Sequence, residues 1–113
     1  MRDDELPLIR AYYEYLAWLL PAIAKYPRGH RFTLGERTEL RLLELLELLI
    51  QAKYSRRKRA LLERANLELE VLRFLLRLAK DLNCLSLKAY GRSAQSLIDI
   101  GRQLGGWLKQ CRE

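Results

Sequence analysis

Histidine and cysteine, on which most metal sites and many catalytic sites depend, are scarce in this sequence. The 113 residues include one histidine, His30, and two cysteines. The Glu-x-x-His pairs of di-iron bundles need two histidines, and His30 has no apparent nucleophile or carboxylate partner for general base catalysis. The sequence also lacks a nucleotide-binding glycine loop, a zinc spacing and a catalytic triad. It therefore predicts a protein that is not an enzyme and binds no metal, cofactor or small-molecule substrate.

The two cysteines, Cys84 and Cys111, flank the last predicted helix. A continuous helix between them would hold them roughly 35 Å or more apart, at ~1.5 Å per residue. A disulfide needs Cα atoms within about 7 Å of each other. We therefore expect two reduced thiols.

Long hydrophobic runs are also missing. No apolar run approaches the ~20 residues of a membrane-spanning helix, and the residues after Met1 do not resemble a signal peptide. We expect a cytoplasmic protein with no membrane partner. Its length predicts one domain over residues 1–113.

Apolar residues recur at helical spacing in four segments, and no segment alternates with period two. The segments are Asp4 to Lys25, Leu34 to Tyr54, Ser55 to Leu82, and Leu87 to Lys109. Connections of a few residues join them. The sequence therefore predicts an all-α, antiparallel up-down-up-down four-helix bundle.

Local signals mark several helix ends. Thr33 followed by Glu36 is typical of a capping box at the start of helix 2. Asn83 suits a left-handed cap after helix 3, and Ser86 suits an N-cap of helix 4.

Proline and glycine also occur inside the predicted helices. Pro21 is expected to bend helix 1 on its polar side without ending it. The alternative is a helix that stops at Leu20. Gly101 and Gly105, one turn apart in helix 4, are expected to allow a close helix approach.

Helices 2 and 3 carry more apolar surface than one bundle core requires. The apolar residues of helix 2 cover roughly 220° of its circumference, whereas a bundle helix needs a stripe of about 100°. Helix 3 has a core stripe and a second stripe beside it with spacings of 4, 3 and 4. That second stripe predicts an interface with another subunit, and consists of Leu67, Val71, Phe74 and Leu78.

The chain is basic, with a formal charge of +7 and a pI of about 9.7. Such a charge favours an acidic partner, most often nucleic acid, with an anionic membrane surface next. The densest run of basic residues is Arg56–Arg59. It could bind phosphate or be merely solvated, and the two interpretations are balanced. Fold stability gives no reason for cations at the start of helix 3. The candidate nucleic-acid-binding residues are Arg56, Arg57, Lys58, Arg59, and Arg28 and Arg31 in the helix 1–2 loop.

Arg73 and Arg77 lie one turn apart on helix 3. They suit one phosphate or an acidic patch on a partner. The simpler interpretation, slightly favoured, is pairing with Glu70 and with glutamates of a neighbouring helix.

Seven short stretches resemble one protein family when taken in order. They are Tyr26–Arg28, Arg31–Gly35, Leu43–Ile50, Ala65–Glu70, Arg77–Leu82, Leu85–Lys88 and Ile100–Lys109. Through them the chain resembles the accessory variability determinant (Avd) proteins of diversity-generating retroelements, from helix 1 to Lys109. These belong to a wider group of four-helix bundles that includes proteins encoded in intervening sequences of 23S ribosomal RNA genes.

The resemblance implies a four-helix bundle that assembles into a barrel-like homopentamer with a positively charged surface. It implies binding to a reverse transcriptase and to RNA or DNA, within a complex that copies a template RNA with errors. It implies no catalytic role. The basic residues named above rest on charge and spacing and not on the resemblance.

Two other functions fit the same residues. One is a general RNA-binding bundle of the ribosomal intervening-sequence type, with no polymerase partner. The other is a purely structural oligomer whose charge keeps it soluble. A neighbouring reverse-transcriptase gene would distinguish the first function from these two.

Overall fold

The computed structural model describes residues 6–111, which form four long helices. They are α1 (Leu6–Ala24), α2 (Glu36–Tyr54), α3 (Arg59–Asp81) and α4 (Leu87–Gln110). Helices α1 and α3 each pack against both α2 and α4, and the short connections make neighbours antiparallel. The bundle measures 44 × 22 × 21 Å. Among the described residues there is no strand, which confirms the all-helical bundle; the predicted start at Asp4 lies outside them.

The start of α2 differs from the prediction. A short helical turn, Arg28–His30, leads into a π-helical turn, Arg31–Gly35, which continues directly into α2. The backbone N–H of Glu36 donates to Arg31 O and Thr33 O, and no side chain caps the helix. The predicted capping box is therefore wrong, because the preceding turn already supplies backbone acceptors to α2.

The start of α3 also differs, while the other two caps agree with the sequence. Residues 55–58 form a connection, and α3 begins at Arg59 and not at Ser55. Ser55 is extended, which ends the helical path after Tyr54. Asn83 adopts a left-handed conformation with φ of 63°. The Ser86 hydroxyl accepts a hydrogen bond from Ala89 N at 3.0 Å, as expected of an N-cap.

Pro21 is exposed, and helix α1 continues through it to Ala24. The alternative of a helix that ends at Leu20 is therefore wrong. A Cβ at Gly101 would lie 3.2 Å from Leu69 Cδ2, which confirms a close approach of α3 and α4 there. Within the described residues 6–111, a Cβ at Gly105 would meet no atom within 4 Å, so that part of the prediction is wrong.

The core combines aromatic side chains of α1 with leucines of the other three helices. The Tyr12 hydroxyl donates to Leu42 O at 2.5 Å, and the Tyr15 and Ser93 hydroxyls are 2.7 Å apart. Burial raises the pKa of both tyrosines, so these rings stay neutral and hydrogen-bonded. Both bonds join α1 to a different helix, which fixes its rotation in the bundle.

Both cysteines are half-buried free thiols at the two ends of an unbroken α4, as expected. No helix within residues 6–111 is long and apolar enough to cross a membrane.

Candidate protein and nucleic-acid interfaces

The predicted interface stripe lies on the surface of α3. Leu67, Phe74 and Leu78 are 66%, 61% and 45% exposed, and Val71 is half-buried. The opposite side of the same helix, including Leu69, is fully buried in the core. The stripe is therefore apolar surface that the folding of one subunit does not use. Its role as an oligomer interface stays a prediction.

Helix α2 presents a second apolar surface. Leu42, Leu45 and Leu49 are buried, whereas Leu43 and Ile50 from the same leucine-rich run are exposed. The wide apolar arc seen in the sequence therefore divides into a core side and a solvent side. One subunit consequently has exposed apolar residues on two adjacent helices.

Lys58, a predicted phosphate ligand, caps the end of α2. Its ammonium group donates to Ala52 O at 2.7 Å, Lys53 O at 3.1 Å and Ser55 O at 2.9 Å. An ammonium group has three donor protons, and these carbonyls provide three acceptors for them. The ammonium also lies 6.0 Å from the centre of the Trp107 ring.

This contact corrects the view that fold stability gives no reason for cations in the connection. A cation opposes the dipole at the start of α3 but complements the carbonyl end of α2. Lys58 stabilises the carbonyl end of α2, a role that was not predicted from the sequence. The six-residue spacing between Ala52 and Lys58 did not predict this contact, because the contact depends on the path of the chain after Tyr54.

The other members of the basic run have different surroundings. Arg59 is 3.4 Å from a Glu63 carboxylate oxygen and donates to Cys111 O at 3.4 Å. Arg56 and Arg57 are exposed, and the backbone N–H of Arg57 is held by the Ser55 hydroxyl at 3.1 Å. The cluster therefore consists of two exposed arginines on a connection that Lys58 and Ser55 keep in place.

The second predicted cluster lies at the opposite end of the bundle. Arg28 is exposed, and Arg31 donates to Ala24 O at 3.5 Å with its guanidinium 4.7 Å from the Phe32 ring centre. Helix α2 separates this loop from the 55–58 connection, and its 19 residues span about 28 Å at ~1.5 Å each. The two clusters do not form one site within a subunit.

Arg73 of α3 is largely used inside the subunit. It lies 3.6 Å from Glu70 and donates to Leu97 O on α4 at 3.3 Å, beside Gly101. The pairing with Glu70 that the sequence suggested is therefore present. Arg77, one turn further on, is exposed. Partner binding by this pair stays a prediction, with Arg77 the more accessible residue.

The basic side of α4 was not among the predicted sites. It carries four exposed cations, Lys88, Arg92, Arg102 and Lys109. The available signal was a helix of 24 residues with a single acidic side chain, Asp99. The cations are spread over six turns and do not stand out as a run. Helical periodicity of 100° per residue places them on one side, so the signal lay in their spacing. The structure adds that this side is exposed.

A shallow groove between α1 and α4 lies beside these cations. The Arg92 guanidinium lies 4.3 Å from the centre of the Trp18 ring, a distance suited to a cation–π contact. Glu14, Ser96 and Asp99 also line the groove. Within residues 6–111 there is no group of three or more histidine, cysteine or carboxylate side chains that could hold a metal ion.

Comparison with protein families identifies one match. The model of a family described as bAvd-like matches residues 8–111. A search of curated proteins gives no significant match. The matched range contains nearly all of α1 and the whole of the other three helices.

Proposed function

This chain belongs to the bAvd-like family, and from that premise we propose that it is a non-catalytic accessory protein of a reverse transcriptase. In this role it binds the polymerase and nucleic acid, either template RNA or cDNA, during error-prone copying. The observation that carries the proposal is the family match over all four helices, because the family consists of accessory, non-catalytic proteins. Exposed apolar and basic surfaces on one small bundle suit such an adaptor.

The proposed assembly is a barrel-like homopentamer. A subunit with apolar residues exposed on two different helices favours head-to-tail contacts, in which unlike surfaces meet. Such contacts close into a ring when the rotation per subunit permits it. Five subunits is the number implied by the resemblance to Avd proteins.

A ring would strengthen weak contacts made by single subunits. Each subunit contributes a small number of exposed cations, and repetition at fixed spacing raises the effective concentration of the next contact. We therefore propose that the polymerase binds the assembled ring and not the isolated subunit. The contacted surface of the polymerase complex is acidic or carries bound RNA.

A pull-down tests this proposal. A reverse transcriptase encoded beside the gene is co-expressed with the parent chain and with Arg73→Ala/Arg77→Ala. We expect the parent to capture the polymerase, and the double variant to lose it while keeping the parent's mass in solution. If the parent and the double variant both capture the polymerase, the polymerase contact lies elsewhere, and the Arg28–Arg31 loop is the next site to test. A parent ring that never captures the polymerase, with or without template RNA, would contradict the adaptor function and favour a general RNA-binding bundle.

A further inference from the structure

The excess positive charge of this protein is unevenly distributed among its helices. Helices α2 and α3 together carry eight basic and eight acidic residues, and α1 carries one of each. Helix α4 carries four basic residues and one acidic residue, while residues 25–35 and 55–58 carry three basic residues each. The surplus charge of the described chain therefore lies on α4 and on two connections.

The four cations of α4 form a row on its outer side, here called the α4 ridge. The ridge consists of Lys88, Arg92, Arg102 and Lys109, all exposed. At 100° per residue they fall within an arc of about 100°, opposite the buried Leu97 and Leu104. From first to last they span about 31 Å at ~1.5 Å per residue. A rigid helix therefore holds four cations in a line.

The single acidic residue of α4 does not neutralise the ridge. Asp99 accepts a hydrogen bond from Gln95 at 3.3 Å and lies 3.8 Å from Arg102. The stacking of Arg92 on Trp18 restricts the motion of the guanidinium, which lowers the entropy lost on binding. The ridge consequently keeps a net positive charge along its length.

The ridge also runs between the two ends of the bundle where the other surplus cations lie. Its Lys109 end adjoins the 55–58 connection, as the contact between Arg59 and Cys111 O shows. Its Lys88 end lies at the same end of the bundle as the Arg28–Arg31 loop, because α1 ends and α4 begins there. The basic surface is therefore elongated parallel to the helices.

We infer that the α4 ridge binds the sugar–phosphate backbone of a nucleic acid strand lying lengthwise along α4. The inference rests on the proposed function, since it identifies the surface on which nucleic acid is bound. A row of about 31 Å matches roughly nine nucleotide steps at ~3.4 Å each. The predicted subunit contact, with Leu67, Phe74 and Leu78 exposed, lies on α3, one of the two helices that together are charge-balanced. A contact through that helix leaves the cations of the ridge accessible.

The test is a charge-neutralising triple variant, Lys88→Gln/Arg102→Gln/Lys109→Gln. Fluorescence anisotropy measures the binding of fluorescein-labelled 20-mers of oligouridylate and oligothymidylate at a series of salt concentrations. We expect Kd to rise at least tenfold at about 0.1 M salt. The slope of log K against log salt should flatten by about 2, since each lost contact to a single strand removes ~0.7.

The matched control makes the same change of charge on the other three helices, Arg10→Gln/Arg37→Gln/Arg64→Gln. All three arginines are exposed. We expect its Kd to change less than about threefold and its salt slope to match that of the parent. Equal losses in the two triple variants would overturn the inference, because the charge would then act at long range and not by contact.

The failure of the ridge is distinguishable from the failure of the proposed function. If the parent binds either oligonucleotide and the ridge variant binds equally well, only the ridge assignment is overturned. If the parent binds neither, the nucleic-acid part of the proposed function fails and the ridge fails with it. Binding of one oligonucleotide by the parent, weakened in the ridge variant, supports the ridge and shows whether RNA or DNA is preferred. Circular dichroism confirms that both variants are folded like the parent.

Discussion

At the scale of single residues, Tyr26 holds a buried polar atom without a partner. Its side chain is 2% exposed, and its hydroxyl makes no hydrogen bond within the described part of the chain. Removing an unsatisfied buried hydroxyl relieves a desolvation cost of the order of 1 kcal/mol. We expect Tyr26→Phe to raise the free energy of unfolding by about that amount in urea denaturation.

Tyr12→Phe is the matched control for this change. Tyr12 is equally buried but donates to Leu42 O. Its substitution leaves a buried carbonyl without that donor, so we expect the free energy of unfolding to fall by about 1–2 kcal/mol. A loss of stability in both variants would contradict the assignment of Tyr26 as unsatisfied.

The buried tyrosines also predict a pH dependence. Burial raises the pKa of Tyr12, Tyr15 and Tyr26 above the ordinary value of about 10. Above that pH the unfolded chain loses tyrosine protons that the folded chain retains, so stability falls as pH rises. Below about pH 10 the tyrosines are protonated in both states, and their contribution to the free energy of unfolding is fully present. Urea unfolding between about pH 8 and pH 11 should show this fall, and Tyr26→Phe, with one titrating group fewer, should show a shallower one.

At the scale of the helix, Lys58 is expected to stabilise the end of α2. Lys58→Met keeps most of the aliphatic stem but removes the donor to three carbonyls. We expect the free energy of unfolding to fall by about 1–3 kcal/mol, the range for a charged hydrogen bond and the dipole contact together. Urea denaturation measures the change.

The exposed neighbours of Lys58 provide the comparison. Arg56→Gln/Arg57→Gln should leave the free energy of unfolding within about 0.5 kcal/mol of the parent. If these two residues bind phosphate, the slope of log K against log salt flattens by up to about 2. The Lys58→Met change should flatten the slope by less than the ~0.7–0.9 expected for one phosphate contact. Unchanged slopes would assign Arg56 and Arg57 to a solvated run. A stable Lys58→Met protein would contradict the capping role.

At the scale of the whole molecule, the exposed stripe of α3 predicts an oligomer. Phe74→Glu introduces a carboxylate into the proposed subunit contact, and burying an unpaired charge is costly. We expect the parent to have a mass several times 13.4 kDa, five times in the proposed ring, and Phe74→Glu to dissociate while staying helical. Light scattering with circular dichroism measures both.

Tyr13→Glu is the matched control for the oligomer. Tyr13 on α1 is 64% exposed, close to the value for Phe74, and lies outside the stripe. It should keep the parent's mass. A parent that stays a monomer at micromolar concentration would contradict the ring, and a Phe74→Glu variant with the parent's mass would place the interface elsewhere.

The amino-acid sequence by itself determined the helices, most of their ends and the core. The helical spacing of apolar residues determined which side of α3 is buried. Ser86 and Asn83 cap their helices through local backbone geometry and contacts with residues close in the chain. These features depend on local backbone geometry, which short-range patterns encode. The same periodicity separated the core stripe from the exposed stripe that contains Phe74.

Tertiary structure alone decided which cations reach groups distant in sequence and at which end of the bundle each basic cluster lies. Arg73 reaches a carbonyl on α4, 24 residues away, whereas Lys58 binds carbonyls only three to six residues back, beside the extended Ser55. Arg28 and Arg56 lie at opposite ends of the bundle, and α4 runs from one of these ends to the other. Both facts follow from the order in which the helices pack. Long side chains reach groups far away in sequence, so their partners are set by the packed bundle and not by spacing along the chain.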